Sequence, residues 1–324
     1  MDLEAFRQDL VQRRPQLEAW GRFVQSCILD RLRGLSVSMQ ITGSRAKDID
    51  SAIGKIARKD YDDPLTQMTD LVGVRFVVLI SPQIRTVSDV LESAEEWTYS
   101  LDRDWEQEVQ SAPETFGYQS RHYVVRSRQS FEFDGIQVAA GLPCEVQIRT
   151  IMQHAYAEMM HDSIYKANGT VPPQAKRFAA SSMALIETAD HLFCETMRLL
   201  DEENRPRKQL WEELVGLYRA KIGDTGFGYD ERLNLEVLDQ CNEYIAPDVV
   251  AEIQVMVRER PTIVERIRSR TTSDPFWLQP TAFFAYWLVL KDRRHAFDVW
   301  PFSSAHDAMS LVYSDLGISL GRRH

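Results

Sequence analysis

Five cations fall within fifteen positions, Arg45, Lys47, Lys55, Arg58 and Lys59, with Ser51 among them. Such a cluster can neutralise polyphosphate: lysines act as point charges, arginines are planar forks that also stack on bases, and a helix start adds free backbone N–H donors. A solvated basic helix face has the same composition, so the cluster alone leaves both readings open. Two carboxylates bear on the choice. Asp70 precedes the apolar run 71–80, and Glu145 lies inside Cys144-Glu145-Val146-Gln147-Ile148-Arg149. A carboxylate in a half-buried strand is costly unless it meets a cation or a metal ion. Two of them on neighbouring strands suit Mg2+ carrying nucleotide phosphates, since Mg2+ commonly takes one or two carboxylates plus phosphate oxygens and water. Simple pairing with Arg75 or Arg149 is the competing reading.

Phe116-Gly117-Tyr118-Gln119-Ser120-Arg121-His122-Tyr123 joins a glycine-permissive turn to aromatic and polar side chains. An exposed Tyr118 is a platform on which a base stacks, whereas Tyr123 reads as core. Downstream, His154, Glu158, His161 and Asp162 recur at helical spacing. HxxxE is not the HExxH of zinc proteases, so this stripe reads as a helix closing a pocket, with His154 facing it.

The elements that must hold these residues follow from hydrophobic periodicity. Residues 1–33 are helical, with Pro15 as an expected break. Residues 37–42 alternate as a strand and run into a turn at Gly43-Ser44-Arg45, and 50–60 form a basic amphipathic helix. A buried strand is expected over 73–80 and a helix over 87–97. Strands follow at 122–126, at 131–133 with 136–139 as a hairpin through Asp134-Gly135, and at 144–148. Helices are expected over 151–165 and, after Pro172-Pro173, over 174–200. The fold class is therefore α+β, a sheet of at least four strands ringed by helices. Polar residues 201–206 and the glycine-rich 223–228 punctuate the chain, and the boundary is set between a first domain, 1–222, and a helical region, 223–324. There 229–270 and 280–294 read as helical, with Ser303 as the cap of a last helix.

In order and spacing, four blocks resemble the synthetase domain of RelA/SpoT-type alarmone synthetases over roughly residues 35–170. They are Gly43-Ser44-Arg45-Ala46-Lys47 with Ser51 and Lys55; Asp70-Leu71-Val72-Gly73-Val74-Arg75; Gly117-Tyr118-Gln119-Ser120-Arg121-His122; and Glu145-Val146-Gln147-Ile148-Arg149-Thr150 with His154, Ala157 and Glu158. The resemblance implies a mixed sheet of nucleotidyltransferase type. It also implies transfer of pyrophosphate from ATP to the 3′-hydroxyl of GDP or GTP, giving (p)ppGpp and AMP. By the same resemblance Arg45 and Arg75 sandwich the adenine, and Lys47, Ser51, Lys55 and Arg58 hold the ATP phosphates. Asp70 and Glu145 position Mg2+, and Glu145 assists deprotonation of the acceptor. Tyr118 stacks on the acceptor base, with His122, Gln147 and His154 lining that side. The chain departs from many members in having Phe116, not Asn, before the Gly-Tyr pair. No separate hydrolase-type histidine and aspartate cluster precedes the blocks, so a synthetase-only enzyme is expected.

Composition bounds the alternatives. With 38 basic against 48 acidic residues the net charge is −10, which argues against wholesale wrapping of nucleic acid. The runner-up acceptors are a tRNA 3′ end or an adenine nucleotide, in a toxin-antitoxin or phage-defence setting, and the acidity weighs mildly against tRNA. A catalytically silent binding module is a third reading. The four cysteines form no CxxC pair, the N-terminus does not look like a signal peptide, and no apolar run spans a bilayer. A cytosolic protein is expected. The C-terminal aromatics, Phe276 to Trp300, read first as helical core and second as a protein-docking surface. The sequence leaves oligomeric state open.

Overall fold

The computed structural model describes residues 3–56, 61, 63–160, 171–223 and 228–319. Helix α1 (Leu3–Leu32) buries Phe6, Leu10, Leu17, Trp20, Val24 and Ile28 along one stripe. It runs unbroken through Pro15, contrary to the expected break. Leu10 and Leu17 on either side of the proline enter one core, and that packing outweighs the lost backbone bond. A Cβ built on Gly21 would stand 2.7 Å from Val72 Cγ2, so only glycine lets α1 lie this close to the sheet.

Strand β1 (Met39–Ala46) continues through Gly43-Ser44-Arg45, where a turn was expected. Those residues are held in the ladder by β2 (Val72–Val78), with Gly43 opposite Arg75 and Arg45 opposite Gly73. Between the two strands come α2 (Ile49–Ile56) and the short α3 (Pro64–Gln67). Helix α4 (Ser81–Glu92) starts and ends earlier than expected, and Trp97 opens a strand, β3 (Trp97–Asp104), that the sequence reading missed. As an edge strand exposed along most of its length, it lacks the apolar alternation by which strands are recognised. Then follow α5 (Trp105–Ser111), β4 (Arg121–Ser127), a hairpin of β5 (Phe131–Phe133) and β6 (Ile136–Val138), and β7 (Pro143–Thr150). Asp134 and Gly135 both have positive φ, as a two-residue hairpin turn requires.

The main sheet is mixed, in the order β1-β2-β7-β4-β3, with β2 and β7 parallel and the other pairs antiparallel. Because side chains alternate along a strand, its two faces differ. Val74, Phe76, Val146, Ile148, Tyr123 and Val125 point into the core beneath α1 and α4. The other face carries Arg45, Arg75, Glu145, Gln147 and His122.

Helix α6 (Ile151–Met160) leaves β7 through a capping box: Thr150 Oγ1 accepts from Gln153 N at 3.2 Å, and Gln153 Oε1 accepts from Thr150 N at 3.0 Å. Helix α7 (Pro173–Lys221) extends well past the expected end and contains Pro206. The chain forms two compact units, Met1–Thr196 and Met197–His324. They divide inside α7, ahead of the composition break at 223, because Leu210, Trp211, Leu214 and Tyr218 already belong to the second core. That unit also contains α8 (Glu231–Gln240), α9 (Val249–Glu259), α10 (Thr262–Arg270), α11 (Thr281–Lys291), α12 (Ala296–Val299) and α13 (His306–Asp315). Ser303 begins a short 3-10 turn and does not cap α13, whose N-cap is Ala305. Phe276, Trp277, Phe283, Phe284, Tyr286, Trp287 and Trp300 are all interior, so the aromatic segment is core and offers no docking surface. No helix of the described residues is long and apolar enough to cross a membrane.

Candidate active site

Strand register alone gathers most of the singled-out residues on the non-core sheet face. Arg45, Gly73 and Glu145 stand in one cross-strand row, and Gly43, Arg75, Gln147 and His122 in the next. Rows two residues apart share a face, so Arg45 lies diagonally beside Arg75, and His122 beside Glu145. Arg45 is exposed, and Gly73 between it and Glu145 keeps the row low.

Asp70 enters from the turn before β2. Its Oδ2 accepts from Lys47 Nζ at 2.5 Å and from Lys55 Nζ at 2.7 Å. Lys47 follows β1 and is tied down by its own N–H to Leu71 O. Lys55 sits on α2, whose first turn is capped by Asp48 Oδ2 accepting from Ser51 N at 3.0 Å. Ser51 is exposed one turn ahead of Lys55 on the same helix face. Burial works to raise the Asp70 pKa, but the two lysines more than offset it and hold the carboxyl below its ordinary range. Burial likewise works against the Lys55 charge, and Asp70, with Glu145 beyond it, raises its pKa nonetheless.

Glu145 is held by His122, whose Nδ1 lies 3.3 Å from Oε1, and by Gln147 Nε2, which donates to Oε2 at 3.0 Å. Burial raises its pKa, as does the charge of Asp70, while His122 and the Gln147 hydrogen bond lower it and together hold the carboxyl below its ordinary range. Neither acid therefore pairs with Arg75 or Arg149.

The chain of contacts continues outward. Tyr118 Oη lies 3.1 Å from His122 Nε2 and accepts from Arg149 at 3.3 Å. Tyr118 is half-buried, not exposed. The Arg103 guanidinium covers its ring at 4.8 Å from the centroid and donates to its carbonyl at 3.0 Å, while Glu108 grips Arg103 at 2.7 and 2.8 Å. Arg103 escaped the sequence reading because it lies in the unrecognised strand β3. Arg149 is 3% exposed, and with Arg75 and His154 it shares a single acid, Glu158, at 3.5, 3.1 and 3.6 Å respectively. Burial lowers the Arg149 pKa, and neighbouring Arg75 lowers it further. Burial, then Arg149 and Arg75, also depress His154, which is neutral at neutral pH. Two guanidinium groups against one carboxylate leave this end of the face with an excess of positive charge, which suits anions.

The structure thus brings together Lys47, Lys55, Asp70, Glu145, His122, Gln147 and Tyr118, and beside them Arg75 and His154. Arg58, with Lys59, and the pair His161-Asp162 lie outside the described residues. Asp70 Oδ1 is buried with no hydrogen-bond partner, the state of an acceptor that awaits a ligand. Two ionised carboxylates, one with an open oxygen, fit Mg2+ that takes its remaining ligands from phosphate and water.

Residues 44–170 match the family described as a region found in RelA / SpoT proteins. This segment is a RelA/SpoT domain. Among curated proteins, the chain is 30% identical over 137 residues to GTP pyrophosphokinase YwaC of Bacillus subtilis (strain 168), covering 41% of this chain and 61% of that protein. It is 27% identical over 185 residues to GTP pyrophosphokinase YjbM of the same organism, covering 56% of this chain and 78% of that one. The crystal structure of small alarmone synthetase 1 from Bacillus subtilis superposes with a TM-score of 0.50 at 21% identity, covering 61% of this chain and 99% of that one. The last likeness establishes that the RelA/SpoT domain has the small alarmone synthetase fold, a five-stranded mixed sheet within helices. Every singled-out site residue falls within the matched segment.

Proposed function

We propose that the first unit is a pyrophosphokinase that moves the β,γ-pyrophosphate of ATP to the 3′-hydroxyl of GDP or GTP, giving (p)ppGpp and AMP. The observation that carries this reading is Asp70: a buried carboxylate with one oxygen saturated by two lysines and the other left open, beside a second ionised acid. The names of the two Bacillus relatives, both GTP pyrophosphokinases, support the same choice of chemistry.

Phosphoryl chemistry of this kind needs charge neutralisation and in-line positioning more than covalent help. Lys47 and Lys55 lie where they would meet the negative charge of the donor phosphates. Arg45 and Arg75, diagonal neighbours on one face, are spaced to take the adenine between them. Tyr118, stiffened by Arg103, presents its ring and the adjacent His122 to the acceptor base. Glu145, ionised and oriented by His122 and Gln147, accepts the proton of the 3′-hydroxyl. The acceptor oxygen bonds to the β-phosphorus as the bond from that phosphorus to the α–β bridging oxygen breaks, and AMP leaves with that oxygen. Mg2+ held by Asp70 and Glu145 would neutralise phosphate charge during the transfer.

The test is the purified chain with Mg2+, ATP labelled in the γ-position and, separately, GDP, GTP, ATP alone and deacylated tRNA. Label is expected on GDP and GTP. Label appearing only on tRNA, or only on an adenine nucleotide, overturns the guanosine acceptor while leaving the pyrophosphokinase chemistry in place.

A further inference from the structure

Strand β7 places Glu145, Gln147 and Arg149 at alternate positions, hence on one face. Gln147 holds Glu145 directly. Arg149, two positions farther on, is buried, and the acid it faces, Glu158 at 3.5 Å, is half exposed. A buried guanidinium with so little compensation is costly unless its donors are used elsewhere. One of them is: Nη1 donates to Tyr118 Oη at 3.3 Å.

This contact fixes a direction. Arginine has donors and no acceptor, and it keeps its charge at any working pH. Tyr118 Oη therefore accepts from Arg149 and has its own proton to give to His122 Nε2, 3.1 Å away. A neutral imidazole carries one bare nitrogen and one N–H. With Nε2 accepting, the hydrogen belongs to Nδ1, which lies 3.3 Å from Glu145 Oε1. Every donor in the chain then points the same way, from Arg149 through Tyr118 and His122 to Glu145.

We propose that Arg149 and the Tyr118 hydroxyl are positioning residues for pyrophosphate transfer, acting together to fix the His122 tautomer that presents an N–H to Glu145; this rests on the function proposed above. The opposite tautomer would set a bare Nδ1 against the carboxylate, lone pair against lone pair, and turn Glu145 away from the acceptor hydroxyl. No proton travels along the chain: the one taken from the 3′-hydroxyl stays on Glu145. Tyr118 has two separable tasks, its ring meeting the acceptor base and its hydroxyl orienting the acid that takes the acceptor's proton.

Tyr118→Phe removes the hydroxyl and keeps the ring. In the full chain with Mg2+, ATP and GDP it is expected to lower kcat about tenfold, the worth of one hydrogen bond. The KM for GDP should stay within about twofold, since the stacking ring is intact. An unchanged kcat, or a loss that falls on KM alone, overturns the positioning role. In an Arg149→Met background the same substitution should cost nothing further, and losses that multiply show that Arg149 does not act through Tyr118. The second readout needs no turnover and no Arg149 variant. The 15N signals of the His122 ring at mildly alkaline pH should show Nδ1 protonated and Nε2 bare in the wild type, and a mixture of tautomers in Tyr118→Phe. A wild-type ring protonated at Nε2, or a ring unmoved by the substitution, overturns the proposal. A wild type that transfers pyrophosphate to no acceptor overturns the function proposed above, while the ring signals still decide the direction of the chain.

Discussion

The two units treat their buried polar groups in opposite ways. In the second, each cluster closes on itself. Asn234 receives Thr281 through its oxygen and donates to Gln279 at 2.8 Å. Asp315 accepts from Arg270 at 2.6 and 2.9 Å and from Tyr286 at 2.5 Å. Among the described residues, all buried side-chain atoms without a hydrogen-bond partner lie in the first unit, and Asp70 Oδ1, Arg149 Nε and His154 Nδ1 are on or beside the sheet face. Leaving such atoms unmet costs about 1–3 kcal/mol each. A fold tolerates that where a ligand completes the set, so the contrast separates a unit built to bind from one whose polar groups serve its own packing.

The largest expected effect lies on the open side of that contrast. Asp70→Asn or Glu145→Gln should lower pyrophosphate transfer at least ~100-fold, the scale of removing one preorganised charge from a phosphoryl-transfer site. Circular dichroism should show the fold retained. Turnover near the wild-type rate in either purified variant would break the role assignment. The closed side should respond in stability instead. Asp315→Asn removes the shared acceptor of Arg270 and Tyr286 and is expected to cost about 3 kcal/mol, read by urea unfolding of the second unit. Turnover per folded molecule should be unchanged, and an unchanged unfolding midpoint would erase the distinction between the units.

The smallest effect sharpens the electrostatics. His154 has a depressed pKa in the folded chain, so below its ordinary value of 6.5 the unfolded chain binds the extra proton first. The stability tied to neutral His154 is full above pH 6.5 and declines as pH falls toward the folded value. Arg149→Met removes a buried cation beside it, so an NMR titration of the His154 ring should show its pKa rising toward 6.5. An unmoved pKa would show that burial alone, without the arginines, sets the value.

Local chemistry was legible wherever the chain itself supplied the signal. The run Val72 to Val78 shows its β-branched density, Asp134-Gly135 its turn, and Glu145 its oddity as an acid inside an apolar strand. Thr150-x-x-Gln153 is a capping box that the sequence reading passed over. What escaped was set by partners distant in sequence. Gly43-Ser44-Arg45 reads as a turn until β2 pairs with it, and β3 is exposed from Thr98 to Asp102, so neither periodicity nor composition marks it. Pro15 reads as a break, yet packing on both sides keeps its helix whole, and α7 likewise runs on through Pro206.

Residue order by itself determined which groups could do chemistry: the cations from Arg45 onward, the two acids and the Gly117-Tyr118 turn. Spacing and side-chain type carry that information without coordinates. Only tertiary structure decided who answers whom, that Asp70 pairs with lysines and not with Arg75, that Arg103 covers Tyr118, and that the C-terminal aromatics are core. Charges and rings on different strands meet through register and burial, and those arise when the whole sheet excludes water, not from any local run of residues.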